Sequence, residues 1–87
     1  MSIPSAQIQR FAANISRGVK YIFKTNIRTD SLEFYDGSVM VMSISEDEDE
    51  ALEVVLVPHW ANKVTMTDPS VTEVLVWLRL NTVLLAV

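Results

Sequence analysis

Five consecutive acids, Glu46-Asp47-Glu48-Asp49-Glu50, are the densest concentration of reactive side chains in the sequence. Carboxylates at alternate positions can ligate calcium, but a helix–loop–helix calcium loop also needs glycine sixth and glutamate twelfth. Counted from Asp47 those positions hold Leu52 and Pro58, so the pattern fails. Two readings are left. The commoner fate of such a run is a solvated hairpin loop that keeps an apolar chain dissolved. The alternative is a surface complementary to a basic partner, standing in for a phosphate backbone.

The remaining candidates for chemistry are sparse. His59 is the single histidine, set between Pro58 and Trp60 with no second ligand at zinc spacing. No nucleophile elbow accompanies it, so a Ser-His-Asp arrangement has no support. With no cysteine there is no thiolate to attack a substrate or hold a metal, and the two isolated glycines, Gly18 and Gly37, cannot build a phosphate loop. The acids lie mostly in one run rather than as a framed pair. The expectation is a non-enzymatic protein with no cofactor and no metal.

A second constellation is basic. Residues 1–28 hold Arg10, Arg17, Lys20, Lys24 and Arg28 and no acid, while residues 29–87 hold all eleven acids against Lys63 and Arg79. The two segments therefore carry +5 and −9, which sum to the net −4. Five cations could contact phosphates. Against nucleic acid stand the overall acidity, at pI ≈ 4.7, and the absence of a recognisable binding motif. Opposite charges at the two ends of a chain also allow head-to-tail pairing. Among aromatic residues Trp60, two residues beyond Pro58, is the better candidate for a contact, since tryptophan is enriched in binding hot spots. Met40 and Met42 offer either an adaptable contact or core filling.

These side chains must be positioned by a small fold. An 87-residue chain forms one domain, residues 1–87, that buries only ~60–65% of its unfolded surface. Apolar residues make up 49% of it. That excess points to exposed apolar surface and to a homo-oligomer or stable partner. The lack of cysteine favours a reducing compartment. The opening Met1-Ser2-Ile3-Pro4 does not read as a secretory signal. No apolar run reaches the ~20 residues that cross a bilayer. The expected location is the cytoplasm, with no membrane contact.

Ile8, Phe11, Ala12 and Ile15 recur at helical spacing, with Pro4 suited to the first turn and Gly18 to a left-handed position past the end. Val19, Tyr21 and Phe23 then alternate with Lys20, Ile22 and Lys24, predicting a strand, and residues 25–30 read as a polar connection. Asp36-Gly37 predicts a type I′ hairpin turn in which Tyr35 faces Ser38, Phe34 faces Val39 and Leu32 faces Val41. That register puts Leu32, Phe34, Val39 and Val41 on one face, and Met40, Met42 and Ile44 on the other with Glu33 and Tyr35. Residues 45–50 form the acidic loop, Leu52 to Val57 a further strand ended by Pro58, and Lys63 to Thr67 a short fifth. Asp68-Pro69 with the capping box Ser70-x-x-Glu73 predicts a C-terminal helix, although Val74, Val76, Leu78 and Leu80 would also line one face of a strand.

The reading is an α+β domain: an N-terminal helix, a four- to five-stranded antiparallel sheet and a C-terminal apolar helix. Its expected function is binding a basic protein partner through Glu46, Asp47, Glu48, Asp49 and Glu50, with Trp60 as an aromatic contact, in the manner of a small inhibitor. The alternatives are a nucleic-acid-associated protein using Arg10, Arg17, Lys20, Lys24 and Arg28, or a self-assembling structural subunit.

Overall fold

The computed structural model describes residues 4–19, 23–28, 30–57 and 62–81. Helix α1 (Ala6–Gly18) is followed by strands β1 (Lys24–Ile27), β2 (Leu32–Asp36), β3 (Val39–Glu46), β4 (Leu52–Leu56) and β5 (Val64–Thr67), then helix α2 (Val71–Asn81). The strands form one antiparallel sheet in sequence order. The fold is α+β, as the periodicities predict.

Ser5 caps α1, its Oγ accepting the Ile8 N–H at 3.3 Å, as small hydroxyl residues do at helix starts. Pro4 precedes that cap rather than opening the first turn. The apolar stripe Ile8, Phe11, Ala12 and Ile15 is buried against β2, β3 and α2. Gly18 is the last helical residue and does not adopt a left-handed φ. It is glycine for a different reason, because a Cβ there would lie 2.5 Å from Leu75 of α2.

The first predicted strand is corrected. Val19 sits in a turn and Phe23 in a bend, both buried, and the strand starts only at Lys24. Val19 and Phe23 belong to the hydrophobic core without lying in a strand. Residues 20–22, including the predicted inward Tyr21, lie outside the described residues. The polar stretch predicted as a connection supplies β1, and its four residues are all exposed.

The hairpin turn also moves. Asp36 pairs with Val39, leaving Gly37-Ser38 as the two-residue loop. Gly37 alone in it has positive φ, at 64°, as a type II′ turn requires at its first position. Farther in, Phe34 pairs with Met42 while Tyr35 pairs with Met40, so Val41 is an extra residue in β3. Such a bulge sets two adjacent side chains against one, and Val41 and Met42 are both buried. The carbonyl of Val41 accepts the Val57 N–H at 2.8 Å. Beyond it the bulge reverses the predicted alternation, so that Met42 and Ile44 join Leu32 and Phe34 in the core. Val41 is buried as predicted, while Val39, predicted inward, lies on the turn side of the bulge opposite Asp36 and is 40% exposed.

The core rows follow from the registers. Leu32, Ile44, Val54 and Met66 form one row, and Phe34, Met42, Leu56 and Val64 the next. Both lie under the helices. The opposite face carries Glu33, Tyr35, Ser43, Glu53, Val55 and Thr65 from the alternating positions. Helix α2 starts as predicted: the Ser70 Oγ accepts the Glu73 N–H at 3.1 Å, and the Glu73 carboxylate accepts the Ser70 N–H at 3.2 Å. Val74 and Leu78 are buried, while Val76 and Leu80 are 46% and 78% exposed. The uniformly apolar segment is thus a two-sided helix with only one side in the core.

Candidate functional site

The acidic run is the β3–β4 turn. Ser45 and Glu46 both belong to β3, Glu46 pairing with Leu52, so the loop predicted over residues 45–50 spans 47–51 instead. Asp47 organises it. Its Oδ1 accepts the Asp49 N–H at 2.9 Å and the Ala51 N–H at 3.0 Å, the local side-chain-to-backbone bonding at which aspartate excels. The Asp47 N–H donates to the Ala51 carbonyl at 2.9 Å, and the Glu50 N–H to the Asp47 carbonyl at 3.0 Å. Glu50 takes φ 63° to complete the reversal.

One clamp from outside fixes the turn to the body of the protein. The Gln7 Nε2 donates to the Glu46 carboxylate and, at 2.9 Å, to the Glu50 carbonyl. Gln7 lies in the first turn of α1, which holds no acid of its own. The positive end of a helix favours neighbouring anions, so the turn supplies the carboxylates that α1 lacks. Gln7 is neutral and leaves the charge of the run intact. Asp30, between β1 and β2, lines the same open hollow of about 520 Å³ with Ser5, Glu46, Asp47 and Glu50. The sequence carries no signal for either neighbour, because both reach the turn through long-range folding.

Neutralisation occurs elsewhere. Among the described residues the sole ion pair is Arg28 to Glu33, with Nε to Oε1 at 2.8 Å. The Tyr35 hydroxyl donates to the same oxygen at 3.1 Å. The Arg28 hydrogen bond holds the Glu33 carboxyl below its ordinary value, and Glu33 in turn raises the Arg28 guanidinium. No carboxylate of residues 46–50 is ion-paired among the described residues. A group of three or more His, Cys, Asp or Glu able to hold a metal ion is also absent among them.

The basic constellation is divided by the sheet. Arg10 and Arg17 are exposed on α1, with Arg17 hydrogen-bonded to Asn14. Lys24 is paired with Tyr35, on the face opposite the helices, and Arg28 is engaged by Glu33. Lys20, Trp60 and His59 lie outside the described residues. Of the two candidate methionines of β3, Met42 is core and Met40 is half-buried. No helix among the described residues is long and apolar enough to cross a membrane. Compared with protein-family models, curated proteins and solved structures, the chain matches none.

Proposed function

We propose that the chain is a non-enzymatic protein-binding module whose β3–β4 turn presents a fixed acidic surface to a basic partner protein. The observation that supports this reading is the combination at residues 46–50. The backbone is pinned by Asp47 and Gln7, yet the charges are not neutralised among the described residues. A pre-ordered surface loses little conformational freedom on binding, and uncompensated charge accelerates encounter with a partner of opposite sign. A solvated loop kept only for solubility needs no such pinning. An inhibitor that occupies a basic groove is the role such a surface suits, in the cytoplasm for a cysteine-free chain. Nucleic acid is the weaker alternative, because Arg10 and Arg17 do not share a face with Lys24, and Arg28 is paired.

Affinity capture from the native host, with and without nuclease, tests the proposal. It expects one stoichiometric basic protein that survives nuclease and is lost when the five acids are made neutral. Nuclease-sensitive capture would favour the nucleic-acid reading instead.

A second reading, self-association, is supported by Val76 and Leu80, exposed one helical turn apart on α2. Light scattering should then show a concentration-dependent oligomer that Leu80→Glu shifts to monomer. A monomer at high micromolar concentration would contradict it.

A further inference from the structure

We propose that the free edge of β1, with the groove beside it, binds an extended acidic–apolar segment of a partner protein by adding it to the sheet. Among the described residues, strand β1 ends the sheet order and pairs with β2 alone. The direction of its backbone groups follows from one hydrogen bond. The Arg28 N–H donates to the Ser31 carbonyl at 2.8 Å, one step beyond the Ile27–Leu32 pair. Antiparallel ladders alternate bonded and non-bonded pairs. Asn26 and Lys24 therefore turn their backbone groups toward β2, and Thr25 and Ile27 turn theirs to the open edge.

The same two residues carry the side chains that face α1, since they pair with Phe34 and Leu32 of the core face. With Ala13, Ser16 and Arg17 they line a groove of about 260 Å³, and Ile27 is 60% exposed in it. The volume falls short of the ~300–1,000 Å³ typical of small-molecule sites. It suits the alternate side chains of an extended segment held by main-chain hydrogen bonds.

Charge selects the occupant. Neither α1 nor β1 contains an acid. Arg17 borders the groove and Lys24 projects from the other face of the strand. An added strand of period two places apolar residues beside Ile27 and acids beside Lys24. A second copy is a poor occupant: antiparallel pairing of two β1 strands would gather Lys24 and Arg28 of both copies along one seam, and like charges across strands repel. The edge is remote in sequence from the acidic turn, so either site can fail without the other.

The test uses two short labelled peptides, one alternating valine with glutamate and one alternating valine with lysine. Fluorescence anisotropy should show saturable binding of the glutamate peptide only, with the Thr25 and Ile27 amide resonances among those that move. Thr25→Pro removes an outward N–H, which an edge strand tolerates. Lys24→Glu reverses an exposed charge on the strand face that meets the acids, without touching the core. Each should weaken binding about tenfold, as expected for one lost hydrogen bond or charge contact. Equal binding of the lysine peptide, no saturable binding, indifference to both variants, or self-association at this edge that excludes the peptide would each overturn the proposal.

Discussion

Gly18 and Leu75 meet where the two helices touch: a methyl group on Gly18 would lie 2.5 Å from both Cδ atoms of Leu75. The contact fixes the C-terminal end of α1 against α2. Alanine is otherwise the better helix former by up to about 1 kcal/mol, so clash and propensity oppose each other at this position. Gly18→Ala should cost about 1 kcal/mol in urea denaturation, because Leu75 must leave its rotamer. In a Leu75→Ala background the same change should become neutral or stabilising. An identical cost in both backgrounds would show that the two residues do not couple.

Asp47 is the residue on which the shape of the acidic turn depends. Asp47→Ala leaves the Asp49 and Ala51 amides without their acceptor and should cost about 1–2 kcal/mol. Asp47→Asn keeps the accepting Oδ1 and should stay within about 0.5 kcal/mol of the parent. Equal effects of the two substitutions on the denaturation midpoint would mean that charge, not hydrogen bonding, holds the turn.

Acid should weaken the sheet edge through Glu33. Its carboxyl is held below the ordinary 4.5, first by the hydrogen bond from Arg28. A depressed folded-state value means that the contribution is complete above the unfolded value and is lost as pH falls through the folded one. NMR titration of the Glu33 carboxyl should therefore show a midpoint below 4.5, moving upward in Arg28→Met. High salt should narrow that difference, since Arg28 is exposed. A midpoint that ignores the loss of Arg28 would remove the ion pair as the cause.

The elements that could be read from the sequence are those whose signals are local. The stripe of α1, the capping box of Ser70 and Glu73 and the alternation of Leu52, Val54 and Leu56 each act within a few residues. The misplaced features depend on partners far along the chain. β1 is largely polar and wholly exposed, so it carries no apolar alternation, and its pairing with β2 defines it. Val19 and Phe23 imitate a strand because both are core residues at an even spacing. The extra residue at Val41 is invisible in a pattern of consecutive apolar residues, where either parity of Val41 and Met42 looks acceptable. For the acidic turn, composition marked the residues, whereas the Gln7 clamp and the nearness of Asp30 arise only when α1 folds onto the sheet.

On the proposed function, residues 46–50 contact a basic partner as a pre-ordered charged surface. The direct measurement is the association rate with the captured partner, across a series of salt concentrations, for the parent and for Glu46→Gln/Asp47→Asn/Glu48→Gln/Asp49→Asn/Glu50→Gln. These amides keep the accepting oxygens of the turn while removing five charges, so the melting temperature should hold. The account predicts association about tenfold or more slower for the neutral variant, with most of its salt dependence gone. Unchanged association at every salt concentration, with stability also unchanged, would contradict it and leave the acidic turn as a solubility feature.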